Sequence, residues 1–212
     1  MPPPAHVLTA LGAYLLGSIP FGYLAARLKG IDLRTVGSGN IGATNALRVL
    51  GKPAGMAVFA LDALKGWTAV ALLPSAVAAG LGAPEPGTGL RIVAGICAVL
   101  GHNYTCWLRF RGGKGVATSA GVLYGLMPVT GLIATAAFFA ALAASRYVSV
   151  GSLAAAVSLP VSAWFLEPDR RLFALALALG LLAIFRHRGN LRRLAAGAEP
   201  RLGQKPAPPP AP

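Results

Sequence analysis

The sequence predicts an all-α, polytopic membrane bundle of about seven helices, with the N-terminus outside and the C-terminus cytoplasmic. Three observations carry that prediction. Of 212 residues, 55% are hydrophobic and only 12% are charged, against about a quarter charged in an ordinary soluble domain. The apolar residues gather into stretches near the ~20 residues that cross a bilayer core. The charges are also sorted. With the N-terminus outside, fifteen of the 19 Lys and Arg fall on inner segments and three on outer ones, while Lys65 lies within a span. That is the pattern of positive-inside sorting.

In order, the spans are 7–26, 53–74, 89–108, 115–127, 128–144, 147–166 and 172–185. A five-span version, with part of 115–144 re-entrant, keeps the same parity. No Lys or Arg precedes the first apolar stretch, so a cleavable signal pattern is missing. The first positive charge, Arg27, follows that stretch and orients it. Residues 1–200 form one membrane-embedded domain, and the Pro-rich stretch 201–212 is expected to be a disordered tail. The net charge of +13 follows from topology and attraction to anionic membrane lipid. No soluble module exists to present that charge to nucleic acid. Cys97 and Cys106 share one apolar segment, too far apart along a helix for a local disulfide, and are expected to be small core residues.

The polar chemistry lies on the inner face. The first inner loop, Gly37-Ser38-Gly39-Asn40-Ile41-Gly42-Ala43-Thr44-Asn45, ends near Arg48. It matches G-x-G-x-x-G without the strand–turn–helix context of a dinucleotide fold. Its glycines can still turn backbone N–H groups toward an anion, or the segment is a flexible polar loop. The second, Gly101-His102-Asn103 followed by Arg109-Phe110-Arg111-Gly112-Gly113-Lys114-Gly115, is not a Walker A loop. It offers open backbone, a Lys point charge and a following helix N-terminus, so a phosphate site is favoured over a bare turn. The third brings Arg146, Ser149 and Ser152 to the inner surface, where they could orient phosphate or serve as polar caps. The fourth, Arg186-His187-Arg188-Gly189-Asn190, sets His187 among arginines, with Asn190 three residues on and on the same helical face. Asp62 and Lys65, spaced i, i+3 within a span, are expected to pair with each other.

These segments, in this order, resemble the bacterial acyl-phosphate:glycerol-3-phosphate acyltransferase family of PlsY type. The resemblance rests on Gly17–Pro20, Gly37–Asn45 with Arg48, Asp62–Gly66, Gly101-His102 with Phe110–Thr118, Tyr147–Ser152, and His187–Asn190 with Glu199. It implies transfer of an acyl group from acyl phosphate to the 1-hydroxyl of glycerol 3-phosphate, giving lysophosphatidic acid and inorganic phosphate. This is the first acylation of phospholipid synthesis. It implies no metal and no cofactor, and a cytoplasmic active site in the inner membrane of a bacterium. By transfer onto matching positions, Lys114 with the backbone of Gly112, Gly113 and Gly115 holds one phosphate. Ser38 and Arg48 hold the second anionic group or the developing charge. Asn40, Thr44, Asn45, Ser149 and Ser152 orient the substrates, and His187 with Asn190 completes the glycerol-phosphate end. Asp62, Lys65, His102 and Glu199 are structural.

The alternative is a transporter for a phosphorylated or anionic small molecule. It accounts for the spans and for Asp62 and Lys65. It does not account for polar chemistry concentrated on one face, since transporters bind near the midplane.

Overall fold

The computed structural model describes residues 2–204, and every regular element among them is helical. Helix α1 (Pro3–Ser18) meets α2 (Phe21–Arg27) at Pro20, which has no N–H with which to continue the ladder. After the first polar loop come α3 (Ala43–Leu50), α4 (Lys52–Ala71), α5 (Leu73–Gly80) and α6 (Thr88–Asn103). A 3-10 turn (Cys106–Leu108) and the Gly-rich loop lead to α7 (Val116–Leu126), α8 (Pro128–Ser145), α9 (Val148–Leu166), α10 (Arg170–Arg186) and α11 (Arg188–Ala195). Proline in the first turn starts α1, α4, α5 and α8, where a missing N–H costs nothing. Asp169 caps α10 by accepting the Arg171 N–H at 2.9 Å.

Four helical runs are long and apolar enough to cross a bilayer: Pro3–Arg27, Lys52–Ala71, Pro128–Ser145 and Val148–Leu166. The α10–α11 pair, bent by 51°, adds a fifth if taken as one span. The expected spans at 89–108 and 115–127 are helical but short, with 16 residues in α6 and 11 in α7. Helix α6 stops at Asn103 because Tyr104 leaves helical backbone and the 3-10 turn follows. Helix α7 stops before Pro128, which opens α8. The 53–74 stretch divides at Leu72, where Pro74 restarts the chain as α5.

The helices pack chiefly as α1 on α6, α4 on α7, and α9 between α8 and α10. Glycine sets the first two contacts. A Cβ at Gly17 would meet the Ala98 carbonyl, one at Gly66 the Thr118 carbonyl, and one at Gly121 the Ala63 carbonyl. Small residues let backbones approach closely where lipid removes the usual hydrophobic drive between helices. The centre is filled by Val70, Val99, Val122, Met127, Leu159 and Leu175. Outward positions such as Leu11, Phe59, Leu132, Phe165 and Leu181 are large, apolar and exposed, as a lipid-facing surface requires.

One buried polar cluster interrupts this interior. Lys65 Nζ lies 2.8 Å from Asp62 Oδ1, with both side chains about fully buried. The same ammonium donates to the Ile19 carbonyl at 2.7 Å, at the break before Pro20. Removing one partner of such a pair leaves an uncompensated charge, at a cost of about 3–5 kcal/mol.

Candidate active site

The polar ends of α1, α6, α7, α10 and α11 meet at one end of the bundle, joined there by the loop before α3. Tyr14 Oη donates to the Tyr104 carbonyl at 2.7 Å and Thr105 Oγ1 to the Ser18 carbonyl at 2.6 Å, locking α1 to α6. Between these ends lies a basin of about 280 Å³, lined by Ser38, Asn40, Lys114, Asn190 and the arginines 186, 188, 192 and 193. One loop lysine and four arginines around so small a volume make an anion site with no carboxylate on its wall.

Each element earns its place locally. The Gly37–Gly42 loop needs positive φ at Gly37 and Gly39 (62° and 67°). Asn45, on α3, ties that loop down. Its Oδ1 accepts the Ser38 N–H at 2.9 Å, and its Nδ2 donates to the Leu33 and Val36 carbonyls at 3.1 and 3.0 Å. Both amide hydrogens are thereby used, so Asn45 is a loop staple with no donor left for substrate. Asn40 accepts the Gly42 N–H at 2.8 Å and lines the basin. Thr44 sits in the first turn of α3 and is not part of the basin wall.

The Gly-rich loop is anchored differently from the sequence expectation. Gly112 and Gly113 donate their N–H groups to the Asn103 and His102 carbonyls at 3.1 and 3.0 Å. These N–H groups therefore close the loop onto α6 and do not point at a phosphate. The glycines are required by proximity, since a Cβ on Gly112 would strike the His102 carbonyl and one on Gly113 the His102 ring. Arg186 holds the other side, donating to the Gly113 carbonyl at 2.6 Å. Gly115, at φ 81°, then turns the chain into α7. Lys114 is left as the loop's contribution to the basin.

Lys114 Nζ donates to Asn190 Oδ1, and Asn190 Nδ2 donates to Glu199 Oε1 at 2.6 Å. Arg193 Nε meets Glu199 Oε2 at 2.8 Å. Burial, with repulsion from Arg193, Arg48 and Arg186, brings the Lys114 ammonium down to about 8 despite the pull of Glu199. Burial raises the Glu199 carboxyl, but the hydrogen-bonding contacts of Asn190, Ser149 and Arg193 outweigh it and leave the group below its ordinary value. Arg48 donates to the Pro200 carbonyl at 3.3 Å, behind the basin.

His187 occupies the bend between α10 and α11. Its Nδ1 lies 2.8 Å from the Ala183 carbonyl, an acceptor only, so Nδ1 carries the proton and Nε2 is the free acceptor. Burial first, and the Lys114 charge second, push the imidazole down to about 4. Lys114, far away along the chain, is a larger charge effect than the adjacent Arg186. His187 is buried beside Lys114 and is not itself one of the basin-lining residues. Ser149 is buried with its hydroxyl beside the Glu199 carboxylate, and Ser152 donates to the Val148 carbonyl at 2.9 Å within α9.

Four basin residues, Arg186, Arg188, Arg192 and Arg193, were given no site role from sequence, although their clustering beside His187 was the available signal. The segment after Glu199 is also more engaged than a free tail. Leu202 N–H donates to the Arg146 carbonyl at 2.7 Å, and Arg201 reaches the Tyr147 hydroxyl at 3.3 Å. The remainder of the expected tail, 205–212, lies outside the described residues.

Comparison with known proteins fits this geometry. The model of the family described as glycerol-3-phosphate acyltransferase matches residues 7–197. The chain belongs to the glycerol-3-phosphate acyltransferase family. A glycerol-3-phosphate acyltransferase of Synechococcus elongatus is 51% identical over 201 residues, covering 94% of this chain and 95% of that one. The Geobacter sulfurreducens acyltransferase is 45% identical over 196 residues, covering 92% and 96%. Among solved structures, the chain is similar to PlsY, an integral membrane glycerol 3-phosphate acyltransferase. Its glycerol 3-phosphate form superposes with a TM-score of 0.83 at 39% identity, covering 93% of this chain and 96% of that one. The lysophosphatidic acid form gives a TM-score of 0.81 at 38% identity. The resemblance drawn from the sequence motifs is thus the family relationship.

Proposed function

We propose that this acyltransferase moves an acyl group from acyl phosphate to the 1-hydroxyl of glycerol 3-phosphate, releasing lysophosphatidic acid and inorganic phosphate. The observation that carries the proposal is the cationic basin at one end of an apolar bundle. Both substrates bring phosphate, one from water and one on a lipid tail, and a basic recess at the foot of lipid-exposed helices suits that pair. The relatives' names and the glycerol 3-phosphate bound form of PlsY support the acceptor.

In the reaction the glycerol hydroxyl oxygen bonds to the acyl carbonyl carbon, and the bond from that carbon to the phosphate oxygen breaks. The hydroxyl proton leaves with the departing phosphate. The donor is an activated anhydride, so the protein's tasks are to hold two anions close together and to neutralise charge. Lys114, with Ser38, Asn40 and Asn190, supplies the phosphate contacts. Arg193 adds field from the basin wall and Arg48 from behind it. His187, neutral and fixed by Ala183, positions the acceptor through Nε2.

The 15-to-3 distribution of basic residues supports an outside N-terminus and a basin facing the cytoplasm. The chemical test uses purified protein with acyl phosphate and glycerol 3-phosphate. Lysophosphatidic acid and inorganic phosphate should appear in equal amounts, with no turnover on acyl-coenzyme A. Comparable kcat/KM with the thioester would contradict the donor assignment.

A further inference from the structure

The buried Asp62–Lys65 pair has a third partner that its i, i+3 spacing does not require. His102 Nδ1 lies 3.5 Å from Asp62 Oδ1, and the His102 ring is 6% exposed. Asp62 thus faces the imidazole from α4, while Lys65 is held by the Ile19 carbonyl on the opposite side. The far edge of the ring rests against Gly113, with Nε2 where a Cβ would stand. The His102 carbonyl takes the Gly113 N–H, and Arg186 from α10 takes the Gly113 carbonyl. Gly113 is therefore clamped by ring, carbonyl and guanidinium, one residue before Lys114.

A charged pair buried in an apolar span adds little stability over good apolar packing. What it supplies here is orientation. A carboxylate beside Nδ1 draws the ring proton to that nitrogen and fixes the ring plane, as outer partners fix the histidines of other sites.

We propose that His102, oriented by Asp62, is a positioning residue that sets the Gly112-Gly113 loop so that Lys114 meets the substrate phosphate. The proposal rests on the phosphate role of Lys114 given above. Coupling is expected because the path is contiguous: Asp62 to His102, His102 to Gly113, Gly113 to Lys114.

The test is a double-mutant cycle on purified, monodisperse protein, following KM and kcat for both phosphate substrates. Displacing a contact by about 1 Å can cost ~10²-fold. His102→Ala should therefore raise by about tenfold the same KM that Lys114→Ala raises, with a smaller change in kcat. In the His102→Ala, Lys114→Ala double variant, the loss should equal that of Lys114→Ala alone, because His102 acts only through the lysine. If His102→Ala does not fold, His102→Gln fills the space, leaves the Asp62–Lys65 pair intact and removes the fixed ring against Gly113, and should give a smaller rise in the same KM with the same non-additivity. A normal KM in folded His102→Ala, or losses that multiply in the double variant, would overturn the proposal. If Lys114→Ala itself is unimpaired, it is the phosphate role of Lys114 that fails.

Discussion

Lys114 donates its ammonium to the side-chain oxygen of Asn190, 76 positions further along the chain. That bond joins the Gly-rich loop to α11 and, through the Asn190 amide, to Glu199. The cation is thus held by a neutral partner, and the carboxylate stands one residue behind it. A phosphate entering the basin meets a lysine that is oriented but not neutralised by direct pairing.

Asn190 is accordingly expected to matter through orientation. Asn190→Ala removes a hydrogen bond from a charged group on each side, each worth about 1.5–3 kcal/mol. Loss of kcat/KM by at least about tenfold is expected in steady-state assays. Unchanged kinetics in folded Asn190→Ala protein would show that Lys114 finds its place unaided.

The pH dependence follows from Lys114. Its folded value of about 8 lies below the ordinary 10.5, so the charge is present below about 8 and is lost as pH rises through it. kcat/KM, which reports the free enzyme, should fall on the alkaline side with an apparent pKa near that value. Lys114→Arg should move the limb to higher pH, because arginine does not titrate there. An alkaline limb unmoved by Lys114→Arg would assign it elsewhere.

His187 offers a second pH signature. With a folded value of about 4, the imidazole stays neutral while the unfolded chain takes up a proton near 6.5. Stability is therefore full above about 6.5 and declines as pH falls toward 4. Thermal unfolding across that window should show the decline, and His187→Gln should flatten it. A base of that strength is poorly matched to proton abstraction near neutrality. His187→Gln should keep partial activity with a raised KM for glycerol 3-phosphate, and the acidic limb of kcat should survive. Disappearance of that limb, with kcat down ~10²–10⁴-fold and KM unchanged, would make His187 the general base.

Much of this site was legible in the sequence, and the reasons are local. Asp62 and Lys65 meet because helical spacing puts i and i+3 on one face. The four inner segments stand out because all four Asn and most of the basic residues fall in or beside them in so apolar a chain. What could not be read is what depends on register between distant elements. The Gly112 and Gly113 N–H groups have no sequence mark to say that α6 carbonyls will take them. Asn45 and Asn40 look alike as loop-flanking amides, yet one has both its amide hydrogens bonded to Leu33 and Val36 while the other faces the basin. The third expected span came out short because Tyr104 leaves helical backbone sooner than hydropathy alone suggests, whereas the fourth ends before Pro128 as its sequence implies.

Orientation can be checked with single cysteines in a protein carrying Cys97→Ala and Cys106→Ala. Both native thiols are half-buried, and this background is expected to keep most activity, since neither has an adjacent base. In intact cells an impermeant thiol reagent should label a cysteine at Gly80 and not one at Gly197. The reverse pattern would invert the bundle and put the basin outside.

The most direct measurement is the kcat/KM of Lys114→Ala, assayed with acyl phosphate and glycerol 3-phosphate on protein shown to be folded. Removing one preorganised electrostatic contact costs on the order of 10²-fold or more, and a loss of at least ~10²-fold is expected here. A near-normal value would mean that the Gly-Gly-Lys-Gly segment is only a turn, and that the phosphate is held elsewhere.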